Sequence, residues 1–183
     1  MYSDSYSLIQ RLLHWVIAIL LIGLMSAGFL LGQFGFGGLK DMVGLEATNL
    51  LYKLHKSFGV LLLGLMSVRL CVRLVLGEPP HSEKLPALQT MVSHATHWLL
   101  YLALLAMPIL GWLGTAAGGF PVEFFSVNLP GFIAKDKALS EQLFQLHALV
   151  GDLIFILVSV HILAAIYHWR IKRDHVMGRM SLF

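Results

Sequence analysis

Residues 143–169 of the chain read LFQLHALVGDLIFILVSVHILAAIYHW, an apolar stretch in which His147 and His161 are fourteen residues apart. A stretch of this length can cross a hydrocarbon core of about 30 Å as an α-helix. At about 100° per residue, fourteen residues end about 40° short of four full turns, so both side chains leave the same face. Their axial separation is roughly 21 Å, which places one histidine near each membrane surface.

Three more apolar runs precede this one, and each is long enough to span a membrane. Lipid offers no partner for free backbone groups, so a helix is the expected conformation of each run. The predicted helices cover roughly residues 12–31, 52–76, 95–114 and 143–169. Glycine- and proline-rich segments predict loops at 32–49, 77–93 and 115–142. The sequence therefore predicts an all-α membrane protein, a four-transmembrane-helix bundle formed by residues 1–183 as a single domain.

The composition agrees with this fold class. Of the 183 residues, 57% are hydrophobic and 13% are charged, whereas a soluble domain carries about 25% charged residues. Such a chain has too few polar side chains to cover a surface in water. The single cysteine, Cys71, excludes an internal disulfide and a cysteine-rich metal site.

The basic residues predict the orientation of the bundle. All six arginines lie near the N-terminus, at the end of the second helix or in the C-terminal tail, which share one side of the membrane. The other side carries lysines that acidic residues balance. Because positive charge marks the cytoplasmic side, both termini are predicted to be cytoplasmic. This asymmetry accounts for the sequence pI of 9.1, so no nucleic-acid partner is expected.

The histidines divide between the two membrane surfaces. His55 is the one outer histidine available to pair with His147, and His14 is the best inner partner for His161. Each pair supplies the two axial ligands of a b-type haem, an arrangement that favours outer-sphere electron transfer. A zinc or copper site is the alternative, but it needs three or four ligands at one depth. Two non-covalently bound haems b are therefore predicted, held by His14, His55, His147 and His161.

Two glycines and one arginine are further candidates for haem binding. Gly59 and Gly151 follow His55 and His147 by four residues, where a missing side chain would let a porphyrin approach the backbone. Ordinary packing between membrane helices is the alternative. Arg11 lies one turn before His14 and is a candidate for pairing with a haem propionate, or for reaching lipid headgroups.

Other polar residues allow a functional or a merely interfacial interpretation. His168 is a candidate quinone contact or proton donor, and headgroup anchoring is its alternative. His94 and His97 share one helix face and could contact the propionates of the inner haem or a quinone. Asp152, an acid deep in the fourth span, could be hydrogen-bonded to the first or third helix or belong to a proton path. Arg69 and Arg73 are expected to extend to lipid headgroups by default, with pairing to haem propionates as the alternative. His81 and His175 are expected to be solvated.

The chain resembles the bacterial cytochrome b561 family over nearly its whole length. The matching motifs are Tyr6-Ser7, Leu13-His14-Trp15, His55, Val68-Arg69-Leu70, His94-x-x-His97-x-x-Leu100-Tyr101, Pro108, Gly111, His147, His161, Ala164-Ala165, His168, Asp174 and Arg179-Met180. In that family the histidines that match His14 and His161 hold one haem, and those that match His55 and His147 hold the other. Trp169 departs from the pattern, since several relatives have a second consecutive histidine there.

The resemblance implies an inner-membrane protein that oxidises superoxide, with ubiquinone as the electron acceptor. Lys53 and Lys56, beside His55, would help to attract an anion, although nearby acidic residues weaken that effect. The alternative is a non-catalytic cytochrome b subunit of a dehydrogenase or hydrogenase complex. A histidine-lined proton or metal transporter is a third hypothesis. Membrane lipid, quinone and superoxide are the expected partners, and no protein partner can be named.

Overall fold

A computed structural model describes residues 5–80 and 86–182, so His81 and the charged residues Asp4, Glu83 and Lys84 lie outside the described residues. Four helices dominate the structure, and all four are long and apolar enough to cross a membrane. They are α1 (Leu8–Val43), α2 (Leu45–Leu76), α3 (Ala87–Ala117) and α4 (Lys137–Tyr167). The predicted fold class, an all-α bundle of four membrane-spanning helices, is confirmed.

The helices begin and end at recognisable signals. Ser7 and Gln10 form a capping box at the start of α1, and Asp136 caps α4 by accepting a hydrogen bond from the Leu139 N–H. Helix α2 ends at Gly77, whose φ of 68° favours glycine. Pro86 precedes the first turn of α3. A backbone N–H at this position has no intrahelical acceptor, so the N–H that proline lacks costs the helix no hydrogen bond.

The loop predicted at 32–49 is mostly helical in the structure. Helix α1 continues to Val43 with a break at Gly35, and α2 begins after Gly44. Both glycines have positive φ, 60° at Gly35 and 85° at Gly44. Glycine elsewhere in this segment costs only about 1 kcal/mol in a helix, and Leu39 is buried. The reversal of the chain therefore needs one residue rather than a long loop.

The other predicted loops are shorter than expected or contain structure of their own. Helices α3 and α4 start before the predicted positions, because their first turns are polar and lie outside the apolar runs. Between them, β1 (Val122–Phe124) and β2 (Val127–Leu129) form a short antiparallel hairpin. After α4, the chain forms a π-helical turn over His168–Lys172 and a 3-10 turn over Gly178–Met180.

The helices pack in sequence around a central core. Helix α1 packs on α2, α2 on α3 and α3 on α4, whereas α1 and α4 hardly touch. The core contains Ile17, Leu21, Leu62, Met66, Tyr101, Ala103, Leu104 and Ile154. Most other large apolar side chains are exposed on the outside of the bundle, as expected for helices whose outer faces contact lipid.

Both chain ends meet at one end of the bundle. The Trp15 Nε1–H donates to the Met180 carbonyl at 2.9 Å, and the Tyr6 N–H donates to the Arg179 carbonyl at 3.1 Å. Gln10 Nε2 donates to the carbonyl of Gly77, at the end of α2, at 3.0 Å. We call this the inner end. The hairpin covers the opposite, outer end, where its Phe125 N–H donates to Ser57 Oγ at 2.8 Å.

The break in α1 gives a matched pair of substitutions. Gly35 combines φ 60° with ψ −177°, a conformation almost confined to glycine, so Gly35→Ala is expected to destabilise the fold by about 1–3 kcal/mol. Gly37 is helical, and a Cβ added there would have open space around it, so Gly37→Ala is expected to be neutral or slightly stabilising. Thermal unfolding in detergent, followed by helical circular dichroism, measures both. Equal midpoints for the two variants would contradict the assigned break.

Candidate functional site

The outer level of the bundle brings together His55 from α2 and His147 from α4. Their ring centroids are 6.3 Å apart and the ring planes are inclined by 76°. Both rings lie inside the bundle, near the end that the hairpin covers. The structure therefore places opposite each other the two histidines that the sequence predicted as an outer pair.

The inner level brings together His14 from α1 and His161 from α4. Their ring centroids are 6.1 Å apart, at an interplanar angle of 69°. A third ring, His97 from α3, lies 5.5 Å from His161 and its Nδ1 is 3.5 Å from Ser93 Oγ. His94, the other histidine on this part of α3, is exposed. The inner level is thus the more crowded of the two.

The spacing of both pairs fits a haem iron between them. A metal–imidazole bond is about 2 Å long and the ring centroid lies roughly 1 Å behind the nitrogen, so two axial rings have centroids about 6 Å apart. Within the described ranges, no group of three or more His, Cys, Asp or Glu side chains is arranged to hold a metal ion. A facing pair of histidines suits a cofactor that, like a porphyrin, supplies the other ligands itself; at the inner level His97 lies beside such a pair.

The environment of His55 supports the same fit. Its Nδ1 is buried without a hydrogen-bond partner among the described residues, so an interhelical hydrogen bond does not explain this ring in the membrane. Gly59, one turn further along α2, has open space where a side chain would be. Such space is needed for a porphyrin to lie against the helix backbone. Gly151 differs, because an added Cβ would meet Met107 Cε at 3.2 Å; this glycine packs against α3.

A spacing of fourteen residues recurs on all four helices, not on α4 alone. Each helix presents two residues at this spacing, one at each level of the bundle. The outer members are Gly28, His55, Gly111 and His147, and the inner members are His14, Arg69, His97 and His161. Since this spacing returns to nearly the same helix face, the pattern predicts which residues line each level.

The contacts agree with this pattern at the outer level. A Cβ added to Gly28 would lie 3.4 Å from His55 Cε1, and one added to Gly111 would lie 3.0 Å from His147 Cε1. Neither glycine was selected as a site residue from the sequence. Their role is to let α1 and α3 approach the two histidine rings closely.

The carbonyl of Met107 defines the protonation of one outer ring. It lies 2.9 Å from Nδ1 of His147. A carbonyl oxygen can only accept a hydrogen bond, so Nδ1 carries the proton. Nε2 of His147 therefore keeps its lone pair, which is the form that binds a metal.

Arginines behave differently at the inner level from what the sequence predicted. Arg69 does not extend to the lipid surface: it is half-buried and donates from Nη1 to the Gln10 carbonyl at 2.8 Å. Arg73 forms an ion pair with Glu78. Arg11 donates from Nη1 to the Ser181 carbonyl at 2.7 Å, while its Nε is buried without a partner among the described residues.

His168 begins the π-helical turn and contacts the tail. Its Nδ1 lies 2.5 Å from Oδ2 of Asp174, so the ring donates to a carboxylate. Burial raises the pKa of the Asp174 carboxyl, but hydrogen bonds from His168 and the Val176 N–H outweigh it and hold that pKa below its usual value. The carboxylate is therefore ionised at neutral pH and fixes the orientation of the His168 ring.

Two other residues considered for a function, Asp152 and Lys56, lie at the surface of the bundle. Asp152 is exposed on the outside of α4, and the described residues include no hydrogen-bond partner for its carboxylate, so it does not join α1 or α3. At the outer end, Lys56 pairs with Glu123 and also donates to the Pro121 carbonyl at 3.1 Å. The charge of Lys56 is thus balanced by the hairpin.

The chain is similar to known proteins over nearly its whole length. Residues 5–181 match the model of the family described as prokaryotic cytochrome b561. "Probable superoxide oxidase CybB" of Yersinia pestis is 26% identical, over 96% of this chain and 95% of that protein. "Cytochrome b561 homolog 1" of Escherichia coli K12 is 26% identical over 97% of both chains. "Cytochrome b562" of Cereibacter sphaeroides is 29% identical, over 97% of this chain and 96% of its own.

The two histidine pairs predict a selective loss of haem. His55→Ala or His147→Ala is expected to leave only the inner haem, and His14→Ala or His161→Ala only the outer one, because one imidazole cannot fill both axial positions. The haem content per chain, from the pyridine haemochrome, should fall from about two to about one. Exposed His94 supplies the control, since His94→Ala should keep both haems. Identical single-haem spectra for His55→Ala and His161→Ala would show that the pairing is wrong.

Proposed function

The chain belongs to the prokaryotic cytochrome b561 family of haem b membrane electron-transfer proteins, and we propose that it oxidises superoxide and reduces ubiquinone in the bacterial inner membrane. The observation that carries this proposal is the arrangement of two histidine pairs at two levels of one bundle. A distant relative, 26% identical, is named a probable superoxide oxidase, which supports the choice of reaction.

The four histidines would hold two haems b, His55 and His147 at the outer level and His14 and His161 at the inner level. Bound haem supplies a one-electron ferric/ferrous couple at each level. Because two histidines would hold each haem, oxygen species would not readily coordinate the iron, which would suit electron transfer without oxygen activation. The chain's own part is to fix the rings, exclude water from the core and keep the two levels apart.

The overall reaction is balanced in electrons and protons. Two superoxide ions each lose one electron and leave as two molecules of oxygen. One ubiquinone gains those two electrons and takes up two protons to become ubiquinol. Because the donor is a soluble anion and the acceptor is dissolved in the membrane, the two half-reactions can proceed at opposite ends of the bundle. The outer end, with Lys53 and the Lys56–Glu123 pair near His55, is proposed for superoxide.

The inner end is proposed for ubiquinone, with His168 as its polar contact. Asp174 accepts the Nδ1–H of His168, so Nε2 is the ring atom left to meet a quinone oxygen and to exchange protons with it. The π-helical turn that starts at His168 is a deviation that often occurs at functional sites. Arg11, three residues before His14, is proposed as a cation that stabilises negative charge at this end.

The proposed reaction is tested with purified protein in liposomes that contain ubiquinone. Addition of superoxide should reduce the haem, seen as a rise of the α-band absorbance. It should also form about one ubiquinol for every two superoxide ions consumed, the ratio that the electron balance requires. His147→Ala should abolish the reduction by superoxide but not the reduction by dithionite of the haem that remains. Absence of any reduction by superoxide, together with a copurifying dehydrogenase or hydrogenase, would instead establish an electron-transfer subunit.

The quinone site gives a separate prediction. His168→Ala is expected to keep both haems and to slow ubiquinone reduction by about 100-fold or more, as is typical for loss of one proton-transferring group. His175 is an exposed histidine on the same tail, so His175→Ala is the matched control and should be unaffected. Stopped-flow oxidation of the pre-reduced protein by a short-chain ubiquinone measures both. Unchanged kinetics in His168→Ala would remove this residue from the mechanism.

A further inference from the structure

At the inner end, the chain leaves the membrane through residues 169–173, which read Trp-Arg-Ile-Lys-Arg and are called the basic segment below. The fourth membrane-spanning helical stretch ends at Lys172, so the basic segment lies where the helix emerges from the hydrocarbon core. All five of its side chains are exposed. Three of them are cations, whereas Trp169 and Ile171 are apolar. The segment therefore offers positive charge and apolar surface side by side at the membrane boundary.

We propose that the basic segment binds anionic phospholipid, with its cations on the phosphodiester headgroup and its two apolar side chains against the adjoining acyl chains. The partner is a headgroup of net negative charge, such as phosphatidylglycerol, because a zwitterionic headgroup offsets the charge of its own phosphate. The inference goes beyond the proposed electron transfer. It depends neither on bound haem nor on which side of the membrane the inner end occupies.

The cations of the basic segment are free to meet a ligand, whereas the other described cations of the inner end already contact the protein. Four arginines donate to backbone carbonyls or pair with a carboxylate: Arg11, Arg69, Arg73 and Arg179. By contrast, the structure over residues 5–80 and 86–182 shows no ion pair and no side-chain hydrogen bond for Arg170, Lys172 or Arg173. Three charges are therefore left to contact groups outside the polypeptide.

The acidic residues near the basic segment do not neutralise it. Of the two carboxylates described at this end, Glu78 is already in an ion pair at the end of α2. Asp174 is the nearer one, but its oxygens accept from the His168 ring and from the Val176 N–H. Asp174 is also an electrostatic neighbour of Lys172. Three cations and this one carboxylate still leave a net charge of +2 on residues 169–174, which suits an anionic partner.

The backbone holds the basic segment at the membrane surface from both sides. On one side it continues α4 through the π-helical turn His168–Lys172. On the other side, Arg173 adopts the left-handed conformation, with φ 54° and ψ 35°, which ends the helical path. The tail beyond it is tied to α1, where the Trp15 Nε1–H donates to the Met180 carbonyl at 2.9 Å. Because this backbone is already ordered, a ligand does not have to order it on binding.

The apolar side chains of the basic segment favour a lipid over a soluble anion. Trp169 is 52% exposed and Ile171 is 71% exposed, and tryptophan is enriched at membrane–water interfaces. The Arg170 guanidinium lies 4.0 Å from the centroid of the Trp169 ring, within range of a cation–π interaction. An inorganic phosphate would contact only the cations. A phospholipid contacts the cations and the apolar side chains together.

The first experiment measures lipid binding by the purified holoprotein in neutral detergent, with bound lipids counted by native mass spectrometry. The probes are phosphatidylglycerol and phosphatidylcholine with the same acyl chains. A variant that combines Arg170→Gln, Lys172→Gln and Arg173→Gln should bind phosphatidylglycerol about 10- to 100-fold more weakly, since each cation near an anionic headgroup contributes about fivefold. Its binding of phosphatidylcholine should not change.

The matched control removes the same amount of charge from the outer end. Three exposed lysines are changed to glutamine together: Lys40, Lys135 and Lys137. This variant should bind phosphatidylglycerol almost as tightly as wild type. Both triple variants should keep the haem content and helicity of wild type, because every substituted side chain is exposed. If the inner triple variant loses haem, the pair Arg170→Gln and Lys172→Gln takes its place, since it leaves the left-handed Arg173 unchanged.

The second experiment locates the bound lipid. The holoprotein is placed in phosphatidylcholine nanodiscs that contain a small fraction of phosphatidylglycerol with a photoreactive headgroup, and the labelled peptides are mapped after irradiation. The label should lie in the peptide that contains residues 169–173. Excess unlabelled phosphatidylglycerol should displace it. Inorganic phosphate at the same concentration should not, because it lacks acyl chains for Trp169 and Ile171 to contact.

Three outcomes would overturn the proposal. It is wrong if the inner triple variant, or the pair that replaces it, binds phosphatidylglycerol as tightly as wild type, or if the outer control loses as much affinity. It is also wrong if inorganic phosphate displaces the photoreactive lipid as well as phosphatidylglycerol does, which would identify a general anion site. Superoxide and ubiquinone are absent from both experiments, so a failure of the proposed reaction leaves these measurements unaffected.

Discussion

The structure depends on one geometric constraint: a histidine ring in a membrane span needs a partner inside the bundle, and a helix returns to nearly the same face after fourteen residues. Uncompensated polar groups in lipid are costly, and the paired histidines lie inside the bundle at two depths. The histidines of α4 follow this spacing, and their partners on α1 and α2 lie at matching depths. Two separate levels, rather than one cluster, are the direct consequence.

The same constraint explains which parts of the fold were predictable from the sequence. Four long apolar runs predict four spans because lipid leaves the backbone no alternative to a helix. The connection between α1 and α2 was predicted as a loop because it is rich in glycine, yet only Gly35 and Gly44 adopt positive φ. Composition shows that glycine is present, but which glycine bends the chain depends on packing. The short hairpin at the outer end was missed for a related reason, since its strands have three residues each.

The histidine pairs were predictable because depth and helix face are simple functions of sequence position. The contacts that surround the rings were not, because they cross between helices. The sequence favoured Arg11 as the charged neighbour of the inner site, and the structure adds Arg69, which is half-buried and donates to the Gln10 carbonyl. Gly111 and the Met107 carbonyl also belong to the site through the packing of α3 against α4. The fourteen-residue spacing on α2 and α3 would have identified Arg69 and Gly111.

The packing of the helices gives the inner histidines a structural consequence beyond electron transfer. Helix α1 packs on α2 but hardly touches α4, so the bundle is open between its first and last helices. His14 and His161 face each other across this opening with ring centroids 6.1 Å apart. Two rings at that distance do not hold helices together by themselves, whereas two bonds to one iron would. Near the same end, the tail is tied to α1 through Arg11 and Trp15. The closure of the bundle between α1 and α4 therefore depends on the inner level and the tail, while the outer pair joins α2 and α4 around the well-packed α3.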